Sequence, residues 1–268
     1  MDILSAIALG VLQGLTEFLP VSSSGHLVLA QELLAIDERD ALPLDVCLHF
    51  GTLVAVLIYF RADLAIIVRA VAGAEVADGD RYLKNWAWLL VAATLPIVGL
   101  VLWMGSAIEA AFSSPTAVGG GLLVSAAVLV LGTRLSARGA REPASVGVLD
   151  ALVVGAFQAM AIFPGVSRSG ATIVGGLARG LRPEVAARFA FLLSIPAILG
   201  AMVREATGVG ELLGRTPTAV LCGVVAAAVT GALAIEVMMR AVRMGRLRPF
   251  AIYCGVLGLV ALAWGWWL

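Results

Sequence analysis

Apolar windows recur along the whole chain, and many are long enough to cross roughly 30 Å of hydrocarbon as α-helix. No other feature restricts the fold as severely. A soluble globule averages about 25% charged residues, whereas this chain is 61% hydrophobic and 13% charged, with a mean hydropathy of +1.01. The polar surface that a soluble fold needs is absent from the sequence. An all-α polytopic membrane protein is therefore expected.

Six stretches read as full spans: Leu44–Phe60, Trp86–Met104, Thr116–Gly132, Val185–Val203, Thr218–Met239 and Phe250–Trp267. Two more, about Ile3–Leu34 and Val146–Leu181, are apolar but interrupted by a proline, a serine cluster and a glycine. Backbone broken in this way is tolerated at membrane depth only where protein or a water-filled cavity surrounds it. Pro96 and Pro196 are expected to kink their spans, and Trp264, Trp266 and Trp267 fit an aromatic belt. The N-terminus lacks the basic region and small-residue cleavage site of a signal peptide, so its first apolar run is expected to stay in the mature protein.

The placement of Lys and Arg orients the spans. Fourteen positive residues fall in the stretches Arg61–Lys84, Arg134–Arg141, Arg179–Arg188 and Arg240–Arg248, against three (Arg39, Arg204, Arg215) in the opposite connections. With the first set cytoplasmic, the second interrupted segment begins and ends on that side and must dip in and return. The first leads into the acidic Asp37–Asp45 loop and should dip in from the other face. The expectation is one membrane domain of six transmembrane helices plus two re-entrant helical hairpins, arranged as an inverted repeat of about 1–133 and 146–268. At a constant offset of 145, Gly10, Gln13, Phe18, Val21, Ser22, Ser24 and Gly25 recur as Gly155, Gln158, Phe163, Val166, Ser167, Ser169 and Gly170. Inverted repeats with broken helices near the midplane are common in secondary transporters, which keeps a transporter or lipid-phosphate flippase open as the alternative function.

Other classes are excluded or weakened. Net charge is zero, Lys84 is the single lysine and there is no basic arm, so nucleic acid is not a partner. Cys47, Cys222 and Cys254 have neither metal-ligand nor disulfide spacing and read as packing residues.

The chemistry is concentrated in the two interrupted segments. In the first, Gln13 and Glu17 are four apart and share a helix face. Pro20 ends that helix, and Ser22, Ser23, Ser24 and Gly25 look like the start of a second one near His26. Serines alone fit close helix packing equally well, but a carboxylate at membrane depth costs about 2.5–3.5 kcal/mol and marks function by default. In the second, Arg168 stands among Ser167, Ser169 and Thr172 just before a helix start. Arginine, hydroxyls and a helix N-terminus suit an anion, phosphate above all; neutralising Glu17 as a structural ion pair is the other reading. His26 reads equally as nucleophile, general acid or hydrogen-bonded core residue. His49 has no obvious partner and reads as structural; Asp45, Asp150 and Glu236 read as interfacial.

Two signatures, Gln13-Gly-Leu-Thr-Glu17-Phe-Leu-Pro20-Val-Ser-Ser-Ser-Gly25-His26 and Pro164-Gly165-Val-Ser167-Arg168-Ser169-Gly170-Ala-Thr172, resemble those of the undecaprenyl-pyrophosphate phosphatase family, also called the bacitracin-resistance family. Their order, separation and hydropathy context match, and the similarity covers essentially the whole chain. The resemblance implies hydrolysis of undecaprenyl pyrophosphate to the monophosphate and inorganic phosphate, recycling the lipid carrier of cell-wall synthesis. It implies a multi-pass protein of the bacterial cytoplasmic membrane, a site reached from the periplasmic side, a divalent cation such as Mg²⁺ or Ca²⁺ and a polyprenyl diphosphate substrate among membrane lipids; it leaves room for a homodimer.

By motif position the family's catalytic residues fall on Glu17, Ser23, His26 and Arg168, with Glu17 also a metal-ligand candidate. Gln13, Ser22, Ser24, Gly165, Ser167, Ser169 and Thr172 fall around them as substrate-binding residues. The family's first motif begins with Glu or Gln; here it is Gln13, so the pair carries one carboxylate. Ser23 would attack the terminal phosphorus with Glu17 as base, and the competing mechanism is attack by a metal-activated water.

Overall fold

The computed structural model of the protein describes residues 2–34, 36–112, 114–137 and 139–265. The chain runs through α1 (Ile3–Phe18), α2 (Ser23–Leu33), α3 (Glu38–Tyr59), α4 (Arg61–Val71), α5 (Tyr82–Phe112) and α6 (Pro115–Leu135). It continues through α7 (Val148–Met160), α8 (Arg168–Ala178), α9 (Pro183–Arg204), α10 (Val209–Arg215), α11 (Pro217–Arg243) and α12 (Arg248–Gly265). The same order occurs twice: a broken helix pair, a long helix, a short helix and two further long helices.

α3, α5, α6, α9 and α11 each carry an apolar window long enough to cross a membrane, so the protein is an all-α polytopic membrane protein. α12 coincides with the sixth expected span. The far end of that span, with the side chains of Trp264, Trp266 and Trp267, lies outside the described residues. The two short helices were not expected: α4 takes up the start of the basic Arg61–Lys84 stretch and α10 precedes α11. α5 continues through Pro96, and the non-helical backbone inside it is at Met104 (φ −122°, ψ 21°).

Both breaks have local causes. A residue preceding proline is pushed out of the α region, and Leu19, before Pro20, is extended (φ −69°, ψ 144°). Two residues on, Ser22 sits at φ 70°, in the region that strains residues with a Cβ. There it caps α2, its hydroxyl accepting from the Gly25 N–H at 3.4 Å. In the second break Gly165 takes the left-handed conformation (φ +87°), and Ser167 caps α8, accepting from the Gly170 N–H at 3.2 Å.

Packing brings the breaks together. An added Cβ on Gly121 of α6 would lie 2.1 Å from the Pro164 carbonyl oxygen, and one on Gly165 would lie 2.1 Å from that of Val118. α6 thus grips the second turn. The Cys254 thiol of α12 donates to the Pro20 carbonyl of the first (3.4 Å). The turns also touch each other, the Ser169 hydroxyl donating to the Leu19 carbonyl at 3.2 Å.

Each half's broken helix packs against a long helix of the other half. A Cβ on Gly10 of α1 would lie 2.2 Å from the Gly223 oxygen of α11, and one on Gly155 of α7 would lie 2.4 Å from the Ala93 oxygen of α5. Without a hydrophobic drive between helices, such small-residue contacts are what lets backbones close up in lipid. The two ends of the second hairpin are held side by side. The Arg182 N–H donates to the Arg141 carbonyl (3.1 Å), and the Arg141 guanidinium spans Asp150 (2.8 and 2.9 Å) and the Arg179 carbonyl (2.8 Å). Both ends of the hairpin are therefore adjacent.

Candidate active site

Glu17 lies in the last turn of α1, one turn after Gln13 on the same face. The Pro20 turn brings Ser23, the first residue of α2, back over that face. Its hydroxyl donates to Glu17 Oε2 at 2.6 Å, and the Gln13 amide donates to the same oxygen at 3.1 Å. From the other half Arg168, the first residue of α8, brings Nη1 to 3.5 Å from Glu17 Oε1. The positive ends of α2 and α8 therefore converge on one buried carboxylate.

The site is polar but not closed on itself. Glu17's side chain is only 4% exposed and Arg168's 26%. At 3.5 Å the guanidinium is beyond good hydrogen-bond length, and Arg168 Nη1 is buried with no hydrogen-bond partner among the described residues. The buried Gln13 Oε1 is in the same condition. A buried polar group without a partner costs about 1–3 kcal/mol, and native proteins retain such groups where a water, an ion or a ligand completes them.

His49 of α3 was set aside as structural, yet its Nε2 lies 3.6 Å from Glu17 Oε2, with Nδ1 donating to the Asp45 carbonyl at 2.7 Å. The signal that could have found it was its position, a titratable residue in mid-span. Ser125 of α6 had no such signal. It donates to the Gly165 carbonyl (2.9 Å) and accepts from the Ser167 N–H (2.7 Å), fixing the turn that delivers Arg168.

The remaining expected residues divide. Glu17, Ser23, Arg168 and Gln13 are brought together. His26 is one turn further along α2 and faces elsewhere, with Nδ1 2.7 Å from the Ser22 carbonyl oxygen and Nε2 2.7 Å from the Tyr253 hydroxyl of α12. Ser22 and Ser24 pair their hydroxyls at 3.3 Å, as Ser167 and Ser169 do at 3.2 Å. The Thr172 hydroxyl donates back to the Arg168 carbonyl (2.8 Å), so its proton serves its own helix. Gly165 contributes shape: its left-handed turn fits against α6 where a side chain would not. Asp45 and Asp150 are tied to neighbours, Asp45 by the Gln31 amide (2.7 Å) and Asp150 by Arg141 and Arg179 (2.8 Å each at closest).

Residues 6–260 match the family described as bacitracin resistance protein BacA. The protein named undecaprenyl-diphosphatase from Desulfosudis oleivorans is 43% identical over 276 residues, covering 98% of each chain. Its namesake from Desulforapulum autotrophicum is 41% identical over 283 residues, covering 99% of each, and that from Methanosphaera stadtmanae is 38% identical over 273 residues, covering 98% of each. With a carboxylate, a hydroxyl and a guanidinium meeting where two broken helices converge, and similarity of this extent on both sides of them, the chain belongs to the bacitracin-resistance BacA family.

Proposed function

We infer that this protein hydrolyses undecaprenyl pyrophosphate to undecaprenyl phosphate and inorganic phosphate. The observation that carries the reading is the Ser23 hydroxyl donating at 2.6 Å to a carboxylate, with an unpartnered Arg168 nitrogen 3.5 Å away on its other oxygen. That arrangement supplies a nucleophile, its base and an anion clamp. The names of the relatives agree with it, and no observation favours transport.

In the first half of the reaction Ser23 Oγ attacks the terminal phosphorus while its proton passes to Glu17. The bond from that phosphorus to the bridging oxygen breaks, and its electron pair leaves with undecaprenyl phosphate. Glu17 releases that proton to the departing phosphate; in the second half it takes a proton from the water that attacks the phosphoserine and returns it to Ser23 Oγ as that oxygen leaves phosphorus. Arg168 binds the phosphoryl oxygens throughout; bidentate guanidinium–phosphate pairing is the strong form of that contact. The short Ser23–Glu17 bond favours serine over a bound water as first nucleophile. Phosphoserine trapped at Ser23 checks it, and Ser23→Ala with near-normal turnover would overturn it.

The donors present fit a hard divalent cation. Among the described residues there is no cluster of three His, Cys, Asp or Glu that could form a dedicated cage. Mg²⁺ is commonly held by one or two carboxylates plus substrate phosphates. Glu17, Ser23 and the unpartnered Gln13 Oε1 would hold it, and when bound it neutralises charge on the phosphoryl oxygens. We place the chain in the cytoplasmic membrane with the site open to the outer face, a reading supported by the fourteen-to-three distribution of basic residues. Labelling Ser24→Cys in cells with an impermeant thiol reagent, in a background free of native cysteines, tests that side. The hydrolysis itself is tested by phosphate release from a long-chain prenyl diphosphate by the purified chain, with and without chelator, beside Glu17→Ala and Arg168→Ala. Both variants remaining active would refute the site.

A further inference from the structure

His26 and Tyr253 lie on opposite halves of the chain, yet His26 Nε2 is 2.7 Å from the Tyr253 hydroxyl, and the two rings lie 8° from parallel with centroids 5.6 Å apart. The next residue of α12, Cys254, donates to the Pro20 carbonyl. Consecutive residues of α12 are thus fastened to the tip of the first hairpin and to the histidine that follows it. The other ring nitrogen, Nδ1, is 2.7 Å from the Ser22 carbonyl oxygen. A carbonyl only accepts, so Nδ1 must carry a proton. In the neutral ring Nε2 is then the lone-pair nitrogen, and the Tyr253 hydroxyl is its donor.

We propose that Tyr253 is a positioning residue of the site: it fixes the tautomer and orientation of His26, whose Nδ1 holds the Ser22 carbonyl next to Ser23, so that His26 steadies the turn that presents Ser23 and does not attack phosphorus. This rests on the hydrolysis proposed above. Two features support it. A phenol both donates and accepts, so when Nε2 is protonated it donates to Tyr253 Oη through rotation of one O–H bond, with no heavy atom displaced. The contact therefore holds the ring, and through it the Ser22 carbonyl, in either protonation state. The same contact opposes a nucleophilic role, because the one lone pair available for attack already accepts from Tyr253. Tyr253 is 46% exposed, so its hydroxyl stands between the buried ring and the open side of α12. Ser22, held at φ 70°, gains the His26 bond on its carbonyl as one of the contacts that keep it there.

The chain has two histidines, so ring nitrogens are resolvable by ¹⁵N NMR of histidine-labelled full-length protein in detergent, with His26→Ala giving the assignment. The wild type is expected to show neutral His26 protonated at Nδ1, with Nε2 accepting a hydrogen bond. In Tyr253→Phe the Nε2 resonance should move and His49 should not. A neutral wild-type ring protonated at Nε2 would overturn the proposal without any tyrosine variant. In the phosphate-release assay Tyr253→Phe should lower kcat about 10-fold, within what a small misplacement of a reacting group costs, with KM changed less than about 2-fold. In the His26→Ala background the same substitution should add almost nothing, because the two act as one unit. Losses that multiply would show a structural contribution independent of His26 and overturn the assignment. If the wild type releases no phosphate, the hydrolysis reading fails, while the NMR arm still decides the Tyr253–His26 pairing.

Discussion

Replacing Glu17 by glutamine separates catalysis from stability in a single variant. The carboxylate accepts from Ser23 at 2.6 Å and Gln13 at 3.1 Å and lies 3.5 Å from Arg168. At an effective dielectric of about 20, the attraction to Arg168 at that separation is about 5 kcal/mol. Burying the carboxylate costs several kcal/mol in the opposite sense. The amide keeps the shape and removes both terms, leaving the loss of an uncompleted pair whose arginine is a quarter exposed, about 1–2 kcal/mol. Catalysis loses more. An amide cannot take the Ser23 proton, and general-base contributions of about 10²–10⁴-fold amount to about 3–5 kcal/mol of barrier. The expected outcome of Glu17→Gln is thus an unfolding midpoint in detergent lowered by only a few degrees, together with phosphate release reduced at least about 100-fold. If the midpoint instead falls by the 3–5 kcal/mol typical of a broken buried ion pair, and activity falls only in proportion to the unfolded fraction, Glu17 is a structural partner of Arg168 and the reasoning is wrong.

Three further outcomes follow from the packing. Gly10→Ala and Gly155→Ala place a methyl 2.2 and 2.4 Å from backbone oxygens of α11 and α5; each should force those helices apart at about 1–3 kcal/mol, read as a lower midpoint. Gly165→Ala combines a left-handed φ with a 2.1 Å approach to the Val118 oxygen. It should cost about 2–4 kcal/mol and, by displacing the turn that delivers Arg168, raise KM for the diphosphate; an unchanged KM in folded protein would refute that link. Asp150→Asn leaves Arg141 and Arg179, each about a third exposed, without their shared carboxylate. A loss of about 1–3 kcal/mol is expected, measured as faster proteolysis in the segment that joins α6 to α7.

Much of the site could be read in the chain because its residues are local. Gln13 and Glu17 are one helical turn apart, Ser23 follows the same proline turn, and the cost of an intramembrane charge singles out Glu17 and Arg168 without any fold. His49 could not be placed in this way, since its partner lies on another helix 32 positions earlier in the chain. His26 was legible as either catalytic or structural, and its orientation depends on Tyr253, 227 positions away. Ser125 was invisible because serine in an apolar helix has an equally good packing explanation.

The sequence alone determined that the chain is a helical membrane protein, where its spans lie, that two segments break, and which residue types carry charge at depth. Those properties follow from transfer free energy and backbone satisfaction, which act residue by residue. Only the tertiary structure decided that the turns touch at Ser169 and Leu19, that Arg168 stops 3.5 Å short of Glu17, and that α12 captures His26. Those depend on how closely glycine-bearing faces let helices approach, on a scale of tenths of an ångström set by many side chains at once.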